Sequence, residues 1–217
     1  MTLVETIIAD GTTIPPMIIV QGKLHMTSWQ AGLKDKKTLF HVSDTGFINI
    51  DIAMDYLDYL IKHTNAREDS PLKILLMDRH GSHTSPEFIL KANNARIIPF
   101  PFPGHLTHVL QPLDVAVFQP YKHWHKKAVQ HAIQNLDVKY TVSSFIRDLD
   151  DIRIETFKPT TIFGAFRKAG MWLINCKNAL KKMTIYQPPK LKVEPEYSLL
   201  GLRTPTHYHE AEKGMRY

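Results

Sequence analysis

The sequence predicts an α/β domain, a mixed sheet with flanking helices, followed by a basic helical extension. Three features carry the prediction. Two apolar, β-branched runs flank an Asp-Gly pair near the N-terminus. Two further apolar runs, at 72–77 and 95–100, alternate with stretches of helical periodicity. Beyond Leu136 the pattern becomes helical and basic.

The elements follow in order. Residues 3–9 and 14–20 read as two strands of a hairpin around Asp10-Gly11. Pro15 and Pro16 cannot donate to a ladder, so they push the second strand toward an edge or a late start. Asp10 itself reads as turn chemistry. Residues 38–42 form a weaker candidate strand. Residues 49–63 carry Ile50, Met54, Leu57 and Ile61 at helical spacing, which predicts an amphipathic helix. Residues 65–71 are polar and read as a loop. The run 72–77 (LKILLM) fits a buried central strand ending at Asp78. Ser85-Pro86-Glu87 reads as an N-cap with proline at the first helical position, opening a helix through Asn93. Residues 95–100 give the next strand, and 101–111 a proline-rich loop. Pro112-Leu113-Asp114 opens a long helical stretch to about Leu136. Helices are expected at 142–149 and 160–183, and an extended tail from 185. The expected organisation is a core at 1–136, a basic helical extension at 137–184 and a tail at 185–217.

Composition limits the function classes. With 43% hydrophobic and 22% charged residues the chain suits a soluble globular protein. No apolar run approaches the roughly 18 residues of a membrane span, and the first residues lack the basic, apolar and cleavage regions of a signal peptide. Cys176 is the single cysteine, so it has no internal disulfide partner, and a reducing compartment is expected. The net charge is +6 and uneven. Residues 1–120 hold ten Lys and Arg against twelve Asp and Glu, whereas residues 121–192 hold fourteen against five. That segment suits a polyanion such as nucleic acid, and it suits a solvated helix surface as well. Within it Tyr121-Lys122-His123-Trp124-His125-Lys126-Lys127 interleaves cations and aromatics. A helix can bury Tyr121 and Trp124 there while its lysines meet solvent or phosphate. Trp29, Trp172, Met17, Met26, Met54 and Met77 read as core.

Asp78 falls where open α/β sheets place ligand sites, at the carboxyl end of a strand. Asp114 follows after thirty-five intervening residues, at a helix start. Two-metal phosphodiester chemistry needs carboxylates converging from different elements, and oxygen ligands suit Mg²⁺. A solvent-facing strand end and a helix-dipole charge are the plainer readings of the two aspartates. His80/His83 and His105/His108 are spaced as His-x-x-His, which leaves a zinc site with His and Asp ligands open.

The wording around these aspartates is more specific. LLMDRHGSHTSPEF, then IIPFPFPGHLTHVLQPLDVAVFQPYK, resembles the DDE superfamily endonuclease domain of pogo-like transposases, with centromere protein B, jerky and Tigger among the relatives. The matching positions are Asp78, His80, Ser82 and His83, then Thr107, His108, Leu110, Gln111, Pro112, Leu113, Asp114 and Phe118. The opening LVETIIADGTTIPPMIIVQGK is similar to the family's early hairpin. TTIFGAFRKAGMWLINC is similar to its closing helix, with Leu173 in place of the usual proline. The resemblance covers residues 2 to about 183. It implies a ribonuclease-H-like fold and metal-dependent DNA cleavage and strand transfer. Asp78 and Asp114 become catalytic ligands of Mg²⁺ or Mn²⁺. His80, His83, His108 and Gln111 become site-orienting or phosphate-contacting residues. Lys122, Lys126, Lys127, Arg167 and Lys168 become candidate DNA contacts. DNA is the implied partner, a homo-oligomer is a further candidate, no membrane is implied, and the location is the nucleus. Arg79 stands where the family more often has Asn or Gly. The family's first catalytic Asp lies on a strand upstream of the hairpin, where this chain begins. Weak or absent cleavage is the resulting expectation, with a non-catalytic DNA-binding protein of transposase ancestry as the alternative.

Overall fold

The computed structural model describes residues 1–24, 29, 32–33, 36–78, 81–83, 85–137, 139–172 and 174–185. The expected tail from 186 on, Met26, Arg79 and His80 lie outside the described residues, as does the side chain of His83. Met1–Met183 form one compact unit.

β1 (Thr2–Ile7) and β2 (Thr13–Gln21) form the antiparallel hairpin. Its turn is held by the Asp10 carboxylate, which accepts from the Thr12 N–H at 2.8 Å and from the Thr12 hydroxyl at 2.6 Å. Gly11 has φ +89°, and a Cβ there would meet the Phe163 ring at 2.8 Å, so conformation and space both require glycine.

β3 (Leu39–Ser43) adds to β2 in parallel, giving the order β1-β2-β3. β2 is therefore central, contrary to the edge position its prolines suggested. The ladder resolves the conflict. β3 pairs with β2 only from Met17 onward, and the β1 register shifts between Val4 and Thr6, opposite Pro15-Pro16. The prolines occupy the irregular stretch, where no N–H is needed. Beyond them β2 alternates strictly. Met17 and Ile19 enter one hydrophobic core while Ile18 and Val20 enter another.

α1 (Ile50–Thr64) is capped by Asn49, whose side chain accepts from the Ile52 N–H at 2.8 Å, and ends at Asn65 in the left-handed region. Its buried face, including Ile52, Ala53, Tyr56, Leu57 and Leu60, covers the Met17/Ile19 side of the sheet. β4 (Lys73–Met77) and β5 (Ile97–Pro101) form a separate parallel pair connected by α2 (Pro86–Asn94), with Ser85 as its N-cap and Pro86 at its start. Leu75, Met77 and Ile97 join the same core beneath α1.

The single mixed sheet expected is thus a mixed α/β arrangement of two small sheets with flanking helices. β4 is not a buried central strand. Among the described residues it pairs only with β5, and Ile74, 63% exposed, stands with Ile98 and Phe100 on an exposed face.

Pro101–Gln111 is not wholly loop, because Thr107–Leu110 form one helical turn, α3. A π-helical turn, Leu113–Val117, then leads into α4 (Phe118–Gln134). α5 (Val142–Thr156) begins at a capping box of Thr141 and Ser144 and runs well past the expected end at Leu149. α4 and α5 cover the second face of the three-stranded sheet through Tyr121, Phe145, Ile146, Leu149 and Ile152.

The helix expected at 160–183 is two helices, α6 (Pro159–Ala169) and α7 (Cys176–Ile185). Gly170 breaks it at φ +72°, and the Met171 N–H bonds the Phe166 carbonyl at 3.0 Å, closing the first helix in a Schellman arrangement.

The hairpin is fastened to α5 by a buried ion pair. Glu5, beside the register shift, bonds the Arg153 guanidinium, which also donates to the Ile14 carbonyl at 3.0 Å. Burial pushes the Glu5 pKa up to about 7, against the lowering effect of Arg153.

Two outcomes follow. Arg153→Met strands the Glu5 carboxyl and the Ile14 carbonyl, and should cost about 3–5 kcal/mol in urea unfolding. The folded Glu5 pKa lies above its unfolded value, so its contribution to stability is complete below the unfolded pKa and is lost as pH rises through about 7. Wild type should therefore lose thermal stability relative to Glu5→Gln between about pH 5 and about pH 8. Parallel curves for the two proteins would remove this account.

Candidate active site

Asp78 directly follows β4. The strand end is fixed on two sides, by Met77 buried in the core and by the Phe102 N–H, which bonds the Met77 carbonyl at 2.9 Å. Phe102 is fully buried. Asp78 itself is exposed.

Asp114 lies on the π-helical turn, where the Phe118 N–H reaches back to the Leu113 carbonyl. Such turns widen a helix and recur at functional sites. Leu113 and Val117, on either side of Asp114, are buried against Ala165 of α6, so the carboxylate is carried outward on an apolar anchor. The preceding segment is ordered by its backbone. The Gln111 N–H bonds the Thr107 carbonyl at 2.8 Å, and the Val115 N–H bonds the Gln111 carbonyl at 3.0 Å.

These placements bring the two carboxylates into one electrostatic environment. The Asp114 pKa is raised, first by loss of water around the carboxyl and then by the negative charge of Asp78. A hydrogen bond from the Thr107 side chain and the charges of His108 and Lys122 pull the other way. The charges of Asp78, His108 and Lys122 thus all reach the Asp114 carboxyl, and Gln111 belongs to the backbone frame that precedes it. Thr107 is an addition. It stood in the quoted motif, but nothing in its sequence context distinguished a carboxylate-holding hydroxyl from a helix cap.

The other candidate contacts lie farther along the chain. Lys126 and Lys127 are exposed on α4, with Lys127 4.5 Å from the Trp124 ring centroid. Tyr121 of that ladder is buried and Trp124 partly so, as an amphipathic helix requires. Arg167 and Lys168 are exposed in the last turn of α6. Among the described residues, no group of three or more His, Cys, Asp or Glu side chains could hold a metal ion.

The model of the DDE superfamily endonuclease matches residues 1–187. The chain belongs to this family. Two curated proteins are similar to this DDE endonuclease domain. One, from Cochliobolus lunatus and named MFS-type transporter clz9, is 27% identical over 187 residues, covering 85% of this chain and 20% of that protein. The other, the human pogo transposable element with ZNF domain, is 27% identical over 138 residues, covering 62% of this chain and 9% of that protein. The chain therefore spans a fifth or less of these relatives. The human relative supports the pogo-like branch of the DDE endonucleases. Among the described residues no helix is long and apolar enough to cross a membrane. No solved structure matches the chain.

If Asp78 and Asp114 share a site, Asp78→Asn removes the like charge that raises the Asp114 pKa, and that pKa should fall toward the ordinary carboxylate range. Carboxyl carbon NMR titration reads this directly. An Asp114 curve unchanged by the substitution would separate the two carboxylates.

Proposed function

We propose that this chain is the catalytic domain of a pogo-like DDE transposase, built on a ribonuclease-H-like frame, that cleaves and joins DNA phosphodiesters with Mg²⁺ or Mn²⁺ in the nucleus. The observation that supports it most is the electrostatic coupling of Asp114 to Asp78, two carboxylates on different elements, which together with desolvation raises the Asp114 pKa. Two carboxylates that repel each other fit a hard divalent cation, which suits oxygen donors and completes its shell with water and substrate phosphate. When bound, the ion would polarise the scissile phosphate and activate an attacking water or hydroxyl.

The protein groups have separate tasks in this reading. Asp78 and Asp114 hold the ion. The Thr107 hydroxyl fixes the orientation of the Asp114 carboxyl. His108 and Lys122, which already feel that carboxylate, are positioned to meet the anionic phosphate. Lys126, Lys127, Arg167 and Lys168 extend the contact along the DNA backbone, where charge sets affinity without reading sequence. His80, His83 and Gln111 keep the orienting role that the family resemblance implies.

The third carboxylate of the family's triad has a natural route in. β1 and β4 each pair on one side only, and both contribute to the core beneath α1. A strand joined N-terminally to β1 and laid between these open edges would unite the two sheets and could carry an Asp toward Asp78. A second reading, a DNA-binding protein of transposase ancestry without cleavage, rests on the basic segment at 121–192.

Nicking of supercoiled plasmid in Mn²⁺ separates the readings. The chain alone should nick weakly or not at all. A version extended by a family-type strand bearing Asp should nick, and Asp78→Ala or Asp114→Ala in that version should lower the rate at least about a hundredfold. A folded extended protein that binds DNA without cutting it would leave only the binding role. Loss of DNA binding at low salt would remove both.

A further inference from the structure

The third tryptophan departs from its sequence reading. Trp172 is 58% exposed and Ile174 91%, although both lie in an apolar stretch that reads as core. The turn carrying them is pinned. Met171 and Ile174 form a bridge, the Asn175 N–H bonds the Gly170 carbonyl at 2.9 Å, and a Cβ on Gly170 would meet the Asn175 carbonyl oxygen at 2.4 Å. The exposed indole thus lies between Gly170 and α7, in the turn closed by the Met171–Ile174 bridge.

The surroundings of that turn are cationic. Between Thr156 and Val193 the sequence has eight Lys and Arg and no Asp or Glu. Five of these cations lie on the two helices around the turn, Arg167 and Lys168 at the end of α6 and Lys177, Lys181 and Lys182 on α7. The helices are tied by Asn178, whose side-chain amide donates to the Arg167 carbonyl at 2.9 Å. Lys182 is one helical turn beyond Asn178, on the side facing α6. Its pKa is lowered by burial and then by the charge of Lys168, as the proximity of the two ammonium groups requires. Among the described residues none of the five is paired with a carboxylate, whereas Lys91, Arg147, Arg153 and Lys158 each have one.

α6 is also part of the active-site frame. Its Ala165 is buried against Leu113 and Val117, the residues that anchor the Asp114 turn.

We propose that the α6–α7 hairpin is a holder for single-stranded DNA, in which Trp172 stacks on an unpaired base and Arg167, Lys168, Lys177, Lys181 and Lys182 track the adjoining phosphates. This rests on the reading that the chain acts on DNA. An exposed aromatic among unpaired cations is the pattern of single-strand recognition, because every base offers a stacking face while the phosphates supply the charge. Duplex DNA would use only the cations, since its bases are already stacked on one another. The holder selects an overhang or frayed end, and its mounting on the Asp114 turn keeps that end with the catalytic carboxylates.

The test is fluorescence-anisotropy binding of the full chain to a blunt duplex and to the same duplex with a six-nucleotide overhang. The overhang should bind about tenfold tighter, in line with the loss per base when a stacking aromatic is removed. Trp172→Ala should abolish that preference without changing the blunt-duplex affinity, and Trp172→Phe should keep part of it. Lys177→Gln with Lys181→Gln should weaken overhang binding and reduce its salt slope by about two. Circular dichroism checks that these exposed substitutions leave the fold intact. Equal binding of both DNAs, or a preference that survives Trp172→Ala, overturns the holder and leaves the endonuclease reading standing. Failure to bind either DNA at low salt overturns both.

Discussion

The structure depends on one apolar contact, the buried face of α1 against two sheets at once. Met17 and Ile19 of β2 and Met77, Leu75 and Ile97 of the β4–β5 pair all enter the core under Ile52, Ala53, Tyr56, Leu57 and Leu60. Among the described residues no backbone ladder joins the two sheets, and hydrophobic packing relates them. Packing is strong in total but weakly directional, at about 25 cal/mol per Å² of apolar surface buried. Hydrogen-bonded strands would fix the end of β4 more tightly. The placement of Asp78 thus depends on close packing at Met77 and on the Phe102 N–H that bonds its carbonyl.

On the opposite face the constraint is polar. Glu5 and Arg153 couple the hairpin to α5, and through Phe157 the same region reaches the small core that supports Asp114. The basic half of the chain is not uniformly basic once folded. α5 carries Asp148, Asp150, Asp151 and Glu155, and three of these line a groove with Trp124, Lys127 and His131. A polyanion approaching there would meet carboxylates. α6 and α7 offer cations with none. The charge that read as one segment in sequence is therefore sorted by the fold into a groove with carboxylates in its wall and a hairpin whose charges are all cationic.

Local chemistry made much of this legible in advance. Asp10-Gly11 and Ser85-Pro86 are signals whose energetics lie within a few residues, and each lies in or beside the turn or cap it predicts. The family was legible for a different reason, the long specific motif around the two aspartates. Features that depend on distant partners were not. Pro15 and Pro16 sit in a central strand because the irregularity facing them is on β1. LKILLM reads as a buried strand because apolar composition reports a potential for burial, and Ile74 lacks a covering element among the described residues. The α6–α7 break rests on Gly170, which interrupts an otherwise continuous helical pattern. Trp172 read as core because tryptophan usually is, and nothing local shows that its turn faces outward.

The Asp114 turn shows how these constraints combine. A carboxylate at a helix start is ordinarily stabilised by the helix dipole, yet the pKa of Asp114 is raised. Desolvation and Asp78 outweigh the hydroxyl of Thr107 and the nearby cations. The repulsion persists because relieving it would require unseating Leu113 and Val117 from their core or Met77 from beneath α1. Burying side chains of that size is worth roughly 1.5–3 kcal/mol each, more than two partly solvated carboxylates can repay by moving apart. An apolar turn and an apolar strand end thus fix where the two acids sit, and the Asp114 pKa is raised first by desolvation and then by the charge of Asp78.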